Sequence, residues 1–285
     1  MNNVSLQEDL FPETIEESYR IAADRIVSAY RFSQNLSMGK LYVAFSGGKD
    51  SVAVYGVCRL AAEMLGLNVL DMCEFHYHIT NVDPPELVMF IKKEFPFVVR
   101  DLPKKTMWQL IPEHRMPPTR IVRYCCSELK ERGGKGRFCV TGVRWAESTR
   151  RRATRGIFED VGHTKAEGRI LFEDNDDDRR ELEHCIPKQK YICNPIVDWS
   201  EENVWRFIKD QGLPYCSLYD EGFHRLGCIG CPMASKKEKL RSFKRWPKYR
   251  DQYIRTFDRM IAVRKEVGLE TDWQNGEEVM QWWIG

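Results

Sequence analysis

The sequence predicts an α/β protein: an open, mostly parallel sheet with helices on both faces, followed by a helical C-terminal region. Three observations carry this. A short apolar run, Leu41 to Phe45, enters a glycine turn, and an amphipathic helix leaves it. Further runs at about 68–77, 97–100 and 137–143 alternate with helical patterns, as strands do when helices cross between them. Beyond residue 234 the pattern is helical throughout, with a basic stretch at 235–267 and an apolar end at 279–284.

Composition narrows the class. At 285 residues the chain can bury a sizeable core. Its 42% hydrophobic and 30% charged residues are ordinary for a soluble globular protein. The net charge of +2 supplies no global pull toward nucleic acid. No apolar run approaches the roughly 20 residues of a membrane span. Met1 to Glu17 is polar and acidic, unlike a signal peptide. The expected location is cytoplasmic, without membrane contact. The ten cysteines are then not expected to form a disulfide framework, and clustered ones point to metal or redox chemistry.

The elements follow in order. Residues 12–36 place Ile15, Tyr19, Ala22, Ile26 and Tyr30 on one side of a helix. After the glycine turn, Val52, Ala53, Val57, Leu60, Ala61, Met64 and Leu65 recur at helical spacing. Pro84-Pro85 opens a helix running through Glu94, since proline suits a first helical turn. Residues 150–190 show little periodicity; Arg150 to Arg152 and an acidic run, Glu173 to Asp178, bracket a loop or hairpin beside the site. The acidic run has ligands for Mg²⁺ but reads as a solvated loop. Ser200 caps a helix through Asp210, and Gly212 ends it. A cysteine-bearing loop fills 213–232. The chain therefore divides into a leading helical segment (1–37), a sheet domain (38–233) and a helical extension packed on it (234–285).

Ser46-Gly47-Gly48-Lys49-Asp50-Ser51 lies between the first strand and its helix. Strand, glycine loop and helix N-terminus together make an anion site, because loop amides and the helix dipole both favour negative charge there. Gly47 and Gly48 let backbone approach a phosphate, Ser46 and Ser51 offer hydroxyls, and Lys49 adds a charge. Asp50 after Gly48-Lys49, and Val43 in place of a first glycine, set the run apart from the P-loop of ATPases and GTPases. The run instead resembles the PP-loop of the ATP pyrophosphatase superfamily. That resemblance implies an adenine nucleotide alpha hydrolase-like fold that binds ATP or adenylyl nucleotides at the α–β linkage, with Mg²⁺ as a candidate companion. A glycine turn in some other α/β domain is the alternative.

Four cysteines stand out: the adjacent pair Cys125-Cys126, and Cys228-Ile-Gly-Cys231. Soft thiolates in such a set suit an iron–sulfur cluster or structural zinc. A vicinal pair is a poorer zinc motif, which favours iron–sulfur. Cys58, Cys73 and Cys139 read as packing residues, and Cys185, Cys193 and Cys216 as loop thiols open to reaction.

Three further segments join these motifs: Thr141-Gly142-Val-Arg144-Trp-Ala-Glu147-Ser148, Asn194 to Trp205, and Leu213 through Gly222 up to Gly227-Cys228. Together they resemble the phosphoadenosine phosphosulfate (PAPS) and adenosine phosphosulfate (APS) reductase family from about residue 38 to 233. The resemblance implies APS, PAPS or ATP held by the 46–51 loop with Gly142 and Arg144. It implies a 4Fe–4S cluster, with zinc as the alternative, on Cys125, Cys126, Cys228 and Cys231. A thiol or thioredoxin-like electron donor and a homo-oligomer belong to the same expectation. Arg144 suits bidentate phosphate or sulfate contact, or a surface pair with Glu147. Arg120, Arg123 and Arg150 to Arg152 are further candidates for anionic groups. Asp83 and Glu86 are candidates for ribose, metal or capping. Asp198 and Trp199 are read as orienting and packing residues, and His76 and His78 as structural. One departure matters: these reductases use a nucleophilic cysteine in a C-terminal segment, and no cysteine follows Cys231 here. Three functions are therefore carried: a sulfonucleotide reductase with an altered nucleophile, an ATP-dependent adenylating sulfurtransferase, and a non-catalytic nucleotide-binding partner subunit. The sulfurtransferase would act on a nucleic-acid or small-molecule acceptor. The basic stretch from Lys236 to Arg250, interleaved with Phe243, Trp246 and Tyr249, would serve a nucleic-acid acceptor, but a solvated helix with aromatics turned inward is the favoured reading.

Overall fold

A computed structural model of the chain describes residues 14–131, 133–161 and 190–285. Among them a six-stranded sheet runs in the order β3-β2-β1-β4-β6-β5. Its strands are β1 (Leu41–Ala44), β2 (Cys73–His78), β3 (Val99–Asp101), β4 (Phe138–Val140), β5 (Phe158–Val161) and β6 (Lys190–Cys193). Every pairing is parallel except β5 with β6. The predicted α/β class, a mostly parallel sheet with helices and a helical C-terminal region, is the one observed.

The order places β1 between β2 and β4. From β1 the chain moves first to one side of the sheet, then to the other. Such a reversal opens a crevice at the carboxyl ends of the two strands, where open α/β sheets bind ligands. The glycine loop emerges there.

Helices α1 (Ile15–Asn35) and α2 (Lys49–Met64) pack together beside β1. Thr14 caps α1 by accepting from the Glu17 amide at 3.1 Å. In β2 the alternation is clean: Cys73, Phe75 and Tyr77 are buried, while Glu74, His76 and His78 lie on the other face. Helix α4 (Pro85–Glu94) starts at the predicted proline. The helix Glu201–Asp210 is capped by Ser200, whose hydroxyl accepts from the Asn203 amide at 3.0 Å, and Gly212 follows at φ +58°.

Several predicted elements shift. The strand expected from residue 68 begins at Cys73, because Asn68 caps the short helix α3 (Val69–Met72) by accepting from the Leu70 amide at 2.8 Å. The third strand sits slightly later than 97–100, and the fourth is shorter than 137–143. The basic stretch at 235–267 is two helices, Lys236–Arg245 and Pro247–Glu266, because Pro247 drives Trp246 out of helical geometry. Part of the aperiodic 150–190 region is ordered: a helix at Thr149–Thr154, then β5 paired with β6. Cys193 thus lies in a strand rather than a loop. The acidic run at 173–178 and Cys185 lie outside the described residues.

Continuing in chain order, α5 is Met107–His114, α6 Tyr124–Leu129, α7 Thr149–Thr154, α8 Glu201–Asp210, α9 Lys236–Arg245, α10 Pro247–Glu266 and α11 Gly276–Ile284. One continuous cluster of buried apolar residues reaches from Val43 and Phe75 in the sheet to Phe243, Phe257 and Trp283 in the last three helices. No helix among the described residues is long and apolar enough to cross a membrane.

One ion pair ties α1 to the segment after β6. Arg25 donates to both carboxylate oxygens of Asp198, at 2.8 and 2.7 Å, and to the Pro195 carbonyl at 2.8 Å. The two side chains are only 12% and 14% exposed, so loss of either strands a poorly hydrated charge. Asp198→Ala is expected to lower unfolding free energy by about 3 kcal/mol in urea titrations. A loss below about 1 kcal/mol would show that the pair behaves as an exposed one.

Candidate functional site

The phosphate loop is built around one glycine. Gly47 has φ +72°, a region L-residues avoid, and a Cβ there would lie 2.7 Å from Ile91 and 2.8 Å from Leu87 of α4. The turn is therefore pressed against α4, and α2 starts immediately after it. Gly48 is the N-cap of α2 and has no side chain to satisfy the first amides. Ser46 stands exposed at the mouth, whereas Gly47, Gly48 and Lys49 are buried. The Ser51 hydroxyl donates to the Gly48 carbonyl at 2.9 Å, and those of Ser46 and Ser51 lie 3.3 Å apart.

Lys49 is 5% exposed. Its ammonium sits 3.6 Å from Asp50, 3.7 Å from Glu201 and 3.5 Å from the His224 carbonyl. These contacts are long, so the cation is balanced between partners rather than locked to one. The Lys49 amide, the first of α2, donates to the Tyr219 hydroxyl at 2.8 Å.

Gly142 and Arg144 come up beside this loop from the end of β4. A Cβ on Gly142 would lie 3.1 Å from the Asp50 carbonyl, so the two segments touch backbone to backbone. Arg144 is 3% exposed. Its Nε donates to Asp50 at 2.6 Å and its Nη1 to the Trp199 carbonyl at 3.2 Å, while Glu147 accepts from the Arg144 amide. The sequence expectation of a surface pair with Glu147 is thus replaced by a buried clamp: Arg144 holds Asp50 and the 194–200 segment to the loop.

The four cysteines approach from opposite sides of a second cleft. Cys125 and Cys126 open α6, and their approach is fixed by Tyr124, which stacks on His114 at 3.9 Å and donates to the Met116 carbonyl at 2.7 Å. Cys228 and Cys231 lie on a turn bonded to the segment after β2: the Ile229 amide donates to the Val82 carbonyl at 2.7 Å. Tyr253 of α10 donates to the Ile229 carbonyl at 3.0 Å. Trp283 of α11 donates to the Pro118 carbonyl at 2.6 Å and packs over Gly230.

The thiols feel one another. The field of Cys228, followed by those of Asp83, Cys126 and Cys231, raises the pKa of Lys130, outweighing burial, which lowers it. The hydrogen bond from Cys125 brings the Cys126 thiol down to about 6, with Lys130 helping, and leaves Cys125 well above the ordinary thiol value. All described cysteines are free. In kind, four thiols beside a lysine suit a thiolate-bound cluster. In placement, no group of three or more His, Cys, Asp or Glu among the described residues converges closely enough to hold a metal ion. Side-chain rotation would have to bring the sulfurs together.

Other predicted candidates are engaged elsewhere. Asp83 accepts from the Thr80 amide at 2.7 Å, and Glu86 pairs with Arg245 at 2.6 Å and accepts from Trp246 at 3.0 Å. His76 bridges Asp101 and Glu74, and His78 bonds Tyr42 at 2.7 Å, as structural residues do. Arg120 donates to the Ala234 carbonyl, and Arg151 pairs with Glu147. Cys193 and Cys216 are buried, and burial raises both thiols, so neither is the reactive loop cysteine expected. On α9 and after it, Phe243 and Trp246 face inward. Lys239 donates to the Trp283 carbonyl, Arg241 to the Gly222 carbonyl, and Arg245 and Arg250 pair with Glu221 and Glu277. Glu201 and Tyr219 were read in the sequence only as members of the 194–205 and 213–222 segments, and Lys130 was not read at all. Lys130 follows Cys126 by about one helical turn, the signal that could have marked it.

A family model described as the phosphoadenosine phosphosulfate reductase domain matches residues 40–234. An uncharacterized protein of Methanocaldococcus jannaschii is 26% identical over 95% of this chain and 61% of its own length. The adenosine 5'-phosphosulfate reductase of Oceanobacillus iheyensis is 46% identical over 40 residues, 14% of this chain and 16% of that protein. The phosphoadenylyl-sulfate (PAPS) reductase of Candida auris, solved as a phosphate complex, aligns over 78% of this chain and 97% of its own. That alignment has 13% identity and a TM-score of 0.46. The chain spans 61% and 39% of two M. jannaschii relatives.

Two outcomes follow from this geometry. Gly47→Ala forces a Cβ against Ile91 at positive φ and is expected to cost about 2 kcal/mol of stability. An unchanged denaturation midpoint would mean that α4 yields freely. Although His114 is exposed, partial desolvation of the ring where it stacks on Tyr124 holds the imidazole below its ordinary pKa, so the folded state prefers it neutral. Its contribution is complete above the unfolded value of about 6.5 and is lost as pH falls below that. His114→Phe should therefore shrink the stability difference between pH 7.5 and pH 5.5; an identical difference would exclude this residue as a source.

Proposed function

Because the chain belongs to the phosphoadenosine phosphosulfate reductase domain family, we propose that it binds an adenylyl nucleotide with its phosphates on the 46–51 loop and acts in sulfur metabolism as a sulfonucleotide reductase. The observation that carries this reading is the uncapped start of α2 at the strand-order reversal, behind a glycine turn in which no side chain fits. Loop amides, the α2 dipole and the hydroxyls of Ser46 and Ser51 favour a phosphate there, and Lys49 is free to turn toward it. Asp50, partly exposed, also accepts from Arg144 and lies against Gly142, which helps position the loop.

Cys125, Cys126, Cys228 and Cys231 would hold a 4Fe–4S cluster, or zinc in the alternative. A bound iron–sulfur cluster would supply redox-capable, polarising chemistry. Lys130 adds positive charge to that cleft, which favours both thiolates and a sulfonate. Reduction of APS or PAPS breaks the sulfur–oxygen bond to the nucleotide phosphate and gives sulfite. The two electrons come from a pair of thiols that become a disulfide, supplied by a thiol or thioredoxin-like donor.

For the sulfurtransferase alternative, Lys236, Lys237, Lys244 and Lys248 are exposed on the basic stretch, while Lys239, Arg241, Arg245 and Arg250 are paired within the protein.

The test is sulfite release. Anaerobically purified protein, assayed for iron and sulfide, is incubated with APS or PAPS and dithiothreitol, and with ATP alone. Sulfite is the expected product, with AMP in equal amount from APS or adenosine 3',5'-bisphosphate from PAPS. AMP and pyrophosphate from ATP, with no sulfite from either sulfonucleotide, would overturn the reductase reading in favour of adenylation.

A further inference from the structure

Tyr219 reaches the phosphate loop from a turn of 3-10 helix at Ser217–Tyr219, 170 residues along the chain from Lys49. Its oxygen accepts from the Lys49 amide at 2.8 Å. That amide is the first of α2, and a helix start without a capping side chain leaves such a donor to be satisfied from outside. A phenol oxygen can accept while its own proton is donated elsewhere. Among the described residues, Tyr219 makes no hydrogen bond as a donor to a protein group. A Cβ on Gly48 would lie 3.4 Å from the same oxygen, so the hydroxyl sits directly over the loop.

The ring is held for this task. Trp205 of α8 packs edge-on against it at 4.9 Å, and the Lys49 ammonium lies 6.0 Å from its centroid. The Gly222 carbonyl, three residues on, accepts from Arg241 at 2.7 Å, and Glu221 pairs with Arg245. Burial, reinforced by the nearby Asp50 and Glu201, raises the phenol pKa, so the group keeps its proton at neutral pH.

We infer that Tyr219 is a phosphate-binding residue: its oxygen keeps the first amide of α2 in place while its O–H donates to a phosphate oxygen of the bound adenylyl nucleotide. The inference rests on the nucleotide reading above and adds a ligand to it that no glycine-loop motif contains. It also gives the turn before Cys228 a reason to stay against the loop.

Tyr219→Phe tests it, since the ring and its contact with Trp205 remain while the hydroxyl goes. Calorimetric titrations would compare adenosine, AMP and APS on wild type and variant, with thermal midpoints measured alongside. The expected result is about tenfold weaker AMP and APS binding, unchanged adenosine binding and a midpoint within a few degrees. Equal AMP affinity in the two proteins would overturn the inference and leave the nucleotide reading standing. Equal weakening of adenosine and AMP would also overturn it, because the ring rather than the hydroxyl would then be responsible. Failure of the wild type to bind any of the three would sink the nucleotide reading, and this inference with it.

Discussion

Close approach of the Gly47 backbone to the side chains of α4 governs the rest of the architecture. The turn after β1 lies so tightly on Ile91 and Leu87 that α4 and the loop cannot move independently. That contact fixes where β1 ends and where α2 begins, and hence the direction in which the first amides of α2 point. A second close approach, Gly142 against Asp50, fixes β4 against the same loop. The Arg144–Asp50 pair then bridges them with charge, in a place where water is nearly excluded. Packing therefore sets the geometry, and electrostatics maintains it.

The C-terminal helices have an analogous role at the cysteine cleft. Tyr253, Phe243 and Trp283 pack together; Tyr253 donates to the Ile229 carbonyl between Cys228 and Cys231, and Trp283 to the Pro118 carbonyl ahead of Cys125. Lys239 satisfies the Trp283 carbonyl near the end of α11, where a cation is favoured by the helix dipole. Four of the basic residues that suggest a nucleic-acid surface when read in a row, Lys239, Arg241, Arg245 and Arg250, are in three dimensions braces between helices and loops.

Much of this was legible in the sequence, and the remainder fails to show for definable reasons. The β1–loop–α2 unit is written locally, in an apolar run, two glycines and a helical repeat, and it appears where expected. The caps at Ser200 and Pro85 are equally local. Asn68 misled because a capping side chain and a strand opening look alike when apolar residues follow both. The break at Trp246–Pro247 was in plain view, yet a continuous run of charge masked it. The Arg144–Asp50 contact did not show, because sequence gives charge but not burial. Tyr219 was read only as part of the 213–222 segment, because nothing nearby marks the distant amide it serves.

The cysteine cleft has a property that the phosphate loop lacks. Ser46 and Ser51, five residues apart, shape one end of their loop between themselves. The cleft is closed by bonds spanning 165 residues, from Trp283 to Pro118, and 114 residues, from Arg120 to Ala234. Closing loops of that length costs chain entropy that only the assembled molecule offsets. A substitution in the last helix therefore acts on cysteines it never touches, and neighbourhood along the chain is a poor guide to which residues share a fate.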